Sequence, residues 1–416
     1  MAIKFAKTQY TPALFDVAQD IVGALPLKLI EKWLVSEQTQ GVAVRELDPY
    51  RVKGYSVSSD SAGLTKLSMQ RGLLEILAII EQPKEIVYRY GTAIGGQGVG
   101  VWAADNTQMF YPGSVAASDL VSALLTIQDE VNAKCLIKIG LGAHAGEFYS
   151  VSGGLYGAEA DAIEEIAENE TEGGEIVISQ SIHDRLPAGH PFRIVQKSEH
   201  PTSIGHVYQV LDGPRLSGVG PASTTHPIAF SAAFHADLVA FQSRLNDAAF
   251  GRHLADRYMK EKCVVLIERE SKTAETPEVA IFENLAMSAM MKNVGLLYLP
   301  RSNGEEIKVA GALAIYVFDD APEALAFARA FRQELARQEI SCRIGIDAGS
   351  VLICELPTGG KDIAGMPVNV ASKMAQDKGK PGKLYLSQAV KDHVDASGFV
   401  ALSYVVSGVE LTVYES

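Results

Sequence analysis

Residues Leu136–Phe148 read LIKIGLGAHAGEF, and residues Cys342–Leu356 read CRIGIDAGSVLICEL. Each is a strand-like apolar run broken by glycines, and each heads the same order of elements. After the first, an acidic helix is expected from about Ala158, then a strand in EIVISQSI at Glu175–Ile182. After the second, VNVASKMAQ at Val368–Gln376 reads as a helix and KLYLSQAV at Lys383–Val390 as a strand. Pairing IKIGLGAHAG with RIGIDAG, and IVISQSI with LYLSQAV, gives an internal duplication at the level of elements.

The upstream segments agree. Tyr55–Ser59 (YSVSS) and Cys263–Ile267 (CVVLI) read as buried first strands. A helical pattern follows each, through Leu73, Leu74, Leu77 and Ile80, and through Ile281, Leu285 and Met290. Ile94–Trp102 and Ile307–Phe318 suit hairpins, and Ser118–Asp129 and Pro322–Arg337 suit helices. Helices alternating with strands and hairpins predict α+β domains with helices covering mixed sheets. The stretch GPRLSGVGPASTTHP at Gly213–Pro227 has no apolar period and reads as a linker. The expected division is an N-terminal helical extension at 1–50, a first domain at 51–212, the linker at 213–227 and a second domain at 228–416.

The chain has 416 residues and a formal net charge of −13, from 37 basic and 50 acidic side chains. The acidic balance disfavours nucleic acid and anionic membrane as partners. Charged residues interrupt the N-terminal apolar stretch, which leaves no signal-peptide core and no membrane span. Leu27, Ile30 and Leu34 recur at helical spacing after Pro26, as in an amphipathic surface or dimerisation helix. Cys135, Cys263, Cys342 and Cys354 show no metal-type spacing. A reducing, cytoplasmic protein without structural zinc or disulfides is expected.

The motifs and their order resemble the class III nucleotidyl cyclases, the family of adenylate and guanylate cyclases. The residues that carry the resemblance are VSSDSAGLTKL at Val57–Leu67, IGIDAGSVLICEL at Ile344–Leu356 and DIAGMPVNVASKM at Asp362–Met374. It spans roughly Tyr55–Leu211 and Cys263–Glu415. It implies two ferredoxin-like cyclase homology domains in tandem, forming an intramolecular pseudo-dimer with one composite site.

In that family two aspartates hold Mg²⁺ or Mn²⁺, which activate the ribose 3′-hydroxyl and clamp the phosphates. Asp60 matches the first aspartate, and Gly63, Leu64 and Thr65 match the phosphate-binding turn after it. The second aspartate falls on Gly96 or Gln97, neither an anion, while Asp105 is set aside as lying past the strand. Lys138 stands where the metal half carries an arginine. In the other half Lys308 and Asp362 match the pair that selects adenine. Asn369 and Lys373 match the transition-state asparagine and arginine, lysine keeping the charge but losing the planar fork. The triphosphate lysine position is Val409. A reciprocal site would use about Arg269 and Ala312 for metal, with Thr92, Gly154, Asp161 and Glu165 in place of the base and transition-state groups.

The resemblance therefore implies a cyclase-like protein of impaired turnover, a pseudoenzyme that binds ATP or another adenine nucleotide, or a protein partner, as a regulator in cyclic-nucleotide signalling. Mg²⁺ or Mn²⁺ would accompany a bound nucleotide, with no other cofactor. An active adenylate cyclase making cyclic AMP is the first alternative, and a structural partner-binding protein that keeps only the fold is the second.

Overall fold

The computed structural model describes residues 27–64, 67, 70–102, 105–151, 153–197, 205–270, 276–356, 360–406 and 409–416. The chain forms two compact units. The first is Leu47–Gly251, and the second joins the described part of 1–46 to Arg252–Ser416.

In the first unit β1 (Arg51–Ala62) runs antiparallel between β3 (Thr107–Pro112) and β4 (Lys138–Val151). Its mixed sheet has eight strands. The order continues from β2 (Gln97–Gly98) through β3, β1 and β4 to β6 (Ile176–Ser179), β8 (Val207–Asp212) and β7 (Arg193–Gln196). β5 (Gly154–Tyr156) hangs on β4, and β4–β6 is the parallel pair. The helix Ala117–Lys134 buries Leu120, Leu124, Ile127 and Val131 against Val57, Met109, Ile139 and Leu141 of the sheet. These helix positions recur at three- and four-residue spacing, which is why one face stays dry. The helix Ala158–Asn169 adds Ile163 and Ile166 against Val177 and Val207.

The second unit repeats the plan. Its sheet also has eight strands, in the order β10 (Glu305–Ala310), β11 (Leu313–Phe318), β9 (Met259–Arg269), β12 (Cys342–Glu355), β14 (Leu384–Ser387), β16 (Val409–Glu415) and β15 (Val400–Val406). β13 (Lys361–Ala364) pairs with β12. Both units are thus α+β, as the duplication predicts, and the repeat extends to every strand of the order.

Register gives the duplication its residue correspondence. Gly142 faces Val177 and Ser58, while Gly345 faces Tyr385 and Leu266. Gly142 and Gly345 are therefore equivalent, and so are Ser58 and Leu266.

One segment differs from the sequence reading. The Ile94–Trp102 stretch is not a full hairpin: the helix Leu73–Ala93 runs into it, and its strand is Gln97–Gly98 alone. The pairing strand β3, not anticipated, lies further on. The helix Leu27–Val35 is amphipathic, as its spacing predicts, with Glu31, Lys32 and Val35 exposed. Leu29, Ile30 and Trp33 are buried, and Trp33 stacks on Phe282 at 4.5 Å within the second unit. The 213–227 stretch lies in the first unit, as does the helix Ala232–Gln242. Among the described residues no helix is long and apolar enough to cross a membrane.

Candidate functional site

Asp60 lies near the end of β1, opposite Gly140, and is half-buried. Burial first, then the charge of Asp105 and that of Glu168, pushes its pKa up to about 6, although the Ser61 N–H donates to it. Asp105, in the turn before β3, is also half-buried and raised by burial. Its carboxylate accepts from the Ser61 N–H and the Ser61 hydroxyl. Ser61 therefore gathers both carboxylates at one place.

Register explains this arrangement and corrects the sequence reading. Ser59 faces Thr107, and its counterpart Ile267 faces Ala314. Counting back two residues from each partner equates Asp105 with Ala312, the position the resemblance gives to a second metal aspartate. Gly96 and Gln97 are not that position. The Gly96 N–H donates to Gly91 O at 2.9 Å, so the glycines close the helix Leu73–Ala93. A Cβ on Gly96 would stand 2.8 Å from that oxygen, so only glycine fits.

The turn after Asp60 passes through Gly63, at φ +78°, and Leu64, and the Leu67 N–H donates to Gly63 O at 3.0 Å. Thr65 lies outside the described residues. Lys138 opens β4, exposed and opposite Ala62.

The donor set suits a hard divalent cation, because Mg²⁺ or Mn²⁺ would relieve the mutual repulsion of two neighbouring carboxylates. Asp60 and Asp105 would hold it. The ion would lower the pKa of a hydroxyl and neutralise charge on phosphate oxygens.

In the second unit Lys308 on β10 and Asp362 on β13 come together. Nζ stands 3.6 Å from Oδ1, with the side chains 33% and 20% exposed. The Ile363 N–H donates to the same Oδ1 at 3.0 Å. At 3.6 Å the pair is an ion pair rather than a hydrogen bond, so the ammonium keeps donors and the carboxylate keeps acceptors for a third group.

Asn369 is exposed on the helix Met366–Ser372, and its N–H donates to Gly365 O at 3.2 Å. The Lys373 N–H donates back to Asn369 O, so the two residues stack one turn apart. From Lys373 to Asp377 the chain makes a π turn, and Lys373 Nζ lies 3.8 Å from Asp377. The side chain of Val409 lies outside the described residues.

The reciprocal positions hold other groups. Counting by register, Asp60 corresponds to Glu268 rather than Arg269, and the Arg343 guanidinium stands 2.9 Å from the Glu268 carboxylate. An internal cation thus takes the place a metal would need. Gly154 matches Asp362, since each faces an equivalent residue, Val151 and Cys354. Lys308 matches Val99 rather than Thr92: Lys308 faces Ile315, and the Val99 N–H donates to the equivalent Gln108. Thr92 is helical, its hydroxyl bonded to Tyr88 O at 2.8 Å. Asp161 is raised by burial, and its charge together with that of Glu168 adds to burial in raising Glu164, as befits an uncompensated acidic face.

One cluster escaped the sequence reading altogether. Glu81, Lys84, His226 and His235 meet in the interior of the first unit. No short spacing announces it, because Glu81 and His226 are 145 positions apart.

No family model matches the chain, and no curated protein matches it. Solved structures do. A class III adenylyl cyclase-like ATP-binding protein from Pseudomonas aeruginosa aligns over 83% of this chain and 86% of its own, at 10% identity and a TM-score of 0.49. An adenylate/guanylate cyclase/hydrolase from Silicibacter pomeroyi aligns over 38% of this chain and 96% of its own, at 21% identity and a TM-score of 0.31. The adenylyl cyclase CyaB from P. aeruginosa covers 38% and 93%, at 18% identity and a TM-score of 0.30. The structural neighbours of the chain are class III adenylyl and guanylyl cyclase-like proteins.

Proposed function

We propose that the protein binds ATP with a divalent cation and acts as a cyclase-like, nucleotide-responsive regulator in the cytoplasm. The observation that carries the reading is the Lys308–Asp362 pair at 3.6 Å. An adenine edge offers an amino donor beside a ring-nitrogen acceptor, which matches an aspartate beside a lysine. Guanine presents the opposite order at that edge and leaves both groups facing like partners. Mg²⁺ or Mn²⁺ on Asp60 and Asp105 accompanies the phosphates. Pairing of the two halves around a single nucleotide belongs to the same proposal.

A charged hydrogen bond contributes about 1.5–3 kcal/mol, so Lys308→Ala or Asp362→Ala should weaken ATP binding about 10- to 150-fold in calorimetry. ATP binding indifferent to both changes, or GTP binding equally tight, would overturn the reading. Asp60→Asn should weaken the same binding event only when Mg²⁺ or Mn²⁺ is present.

A second reading, slow conversion of ATP to cyclic AMP, is favoured by Asp105 beside Asp60. The ribose 3′-oxygen would bond to the α-phosphorus as the bond to pyrophosphate breaks, with the hydroxyl proton leaving to solvent. Asn369 and Lys373 would stabilise the developing charge, lysine less well than an arginine fork. Cyclic AMP formed by the parent with Mn²⁺, and abolished in Asp105→Asn, supports this reading. Product no higher than in the Asp60→Ala, Asp105→Ala double variant excludes it and leaves binding alone.

A further inference from the structure

We propose that Glu81, His226 and His235 form a transition-metal site, with zinc as its natural occupant, that fastens the 213–242 segment to the helix Leu73–Ala93. The site is separate from the Asp60–Asp105 pair and takes a softer ion.

The geometry is that of a ligand set. His226 Nε2 stands 3.0 Å from Glu81 Oε2, and His235 Nε2 stands 3.3 Å from the same oxygen. The three ligand atoms all lie within 4.8 Å of one another. Donors about 2.0–2.1 Å from a zinc ion at the tetrahedral angle stand about 3.3 Å apart, which the two separations from Glu81 match.

The surroundings favour an ion over a plain hydrogen-bond network. Glu81 is 3% exposed and His226 6%. Lys84, fully buried, donates to Glu81 Oε1 at 2.6 Å and to Trp102 O at 2.8 Å. That contact already compensates the carboxylate charge at Oε1, and both imidazoles converge on the other oxygen, Oε2. With an ion on Oε2, Lys84 becomes the outer partner that orients a monodentate carboxylate. Trp102 stacks on the His226 ring at 5.6 Å and covers one side.

Two imidazole nitrogens and one carboxylate select zinc, cobalt, nickel or copper over Mg²⁺ or Ca²⁺. The ligands come from a helix, a proline-flanked loop and a second helix. The ion therefore acts as a clasp on a segment whose composition alone reads as a flexible linker.

The test uses the untagged full-length protein. Elemental analysis should find stoichiometric zinc, and cobalt substitution should give the intense visible d–d bands of a four-coordinate site. His226→Ala and His235→Ala should each abolish both signals, while His393→Ala, on an exposed turn, should keep them. Should the histidine variants fold poorly, chelator added to the parent must lower its melting temperature, with zinc but not magnesium restoring it. Zinc well below stoichiometry without d–d bands, zinc retained in both histidine variants, or a melting temperature indifferent to chelator would each overturn the proposal.

Discussion

Gly345 lies in β12 directly beneath the helix Met366–Ser372, which carries Asn369. A Cβ added there would stand 2.1 Å from the carbonyl oxygen of Ala371, and 2.9 and 3.1 Å from the carbonyl carbon and Cα of the same residue. A relaxed carbon–oxygen contact is about 3.3 Å or more, so the helix would have to lift by about 1 Å. The obstacle is backbone, and no rotamer change relieves it. Overpacking costs about 1–3 kcal/mol, and this contact belongs at the upper end or beyond. Lower freedom of the unfolded chain returns about 0.4–1 kcal/mol. Gly345→Ala should therefore destabilise the second unit by about 2–3 kcal/mol.

Gly142 supplies the matched control. Its Cβ would meet Ala167 N and the Ile166 Cγ2 methyl, both at 3.0 Å. The same substitution there meets far milder crowding and should cost about 1 kcal/mol or less. Urea titrations read the difference. The chain has two tryptophans, Trp33 in the second unit and Trp102 in the first, so each unit has its own fluorophore. A Trp102→Phe background isolates the second unit, and Trp33→Phe isolates the first. A Gly345→Ala midpoint within error of the parent, or a larger loss at Gly142, would refute the reasoning.

Burial raises the pKa of Cys263, Cys342 and Cys354 to about 12 and that of Cys135 to about 11. Thiolate-directed reagents at pH 8 should therefore label the native protein slowly, the half-exposed Cys135 first, and the unfolded chain quickly. Rapid native labelling of any of the three buried thiols would contradict this. Glu130 accepts from the Arg89 guanidinium, from Lys134 at 2.8 Å and from the Tyr90 hydroxyl at 2.6 Å. Burial acts to raise its pKa, and these three partners together outweigh it, bringing the pKa down to about 2 from an ordinary 4.5. The depressed value means that the stabilisation is complete above pH 4.5 and fades as pH falls toward 2. Glu130→Gln should cost about 1–2 kcal/mol at pH 7, with the gap to the parent closing over that window in acid titrations. A gap that stays constant with pH would count against the assignment.

Some of the site was legible because its residues are local. Asn369 and Lys373 are one helical turn apart, so spacing alone places them together. Lys308 and Asp362 were named as a pair through the resemblance, and only the packing of β10 near β13 sets them 3.6 Å apart. The counterpart of Ala312 was misplaced for a definite reason. From Lys308 to Ala312 is four positions, whereas from its counterpart Val99 to Asp105 is six. A loop two residues longer defeats motif spacing, while the β-ladder restores the correspondence because each residue is fixed by its partner across the strands. The same ladder moves the reciprocal carboxylate from Arg269 to Glu268.

The sequence by itself determined the α+β plan and its duplication, because alternation of apolar residues, glycine turns and helical spacing are properties of short windows. It also named Lys308, Asp362, Asn369 and Lys373 through the resemblance, since these sit in runs that keep their length. The tertiary structure alone decided that Asp105 stands beside Asp60, that Arg343 neutralises Glu268, and that Glu81 meets His226 and His235. Each of those meetings joins residues between 45 and 154 positions apart. No local pattern encodes such contacts. They follow from strand register and from the burial of the segment that carries the histidines, which place charged groups together only after the sheets and helices have closed.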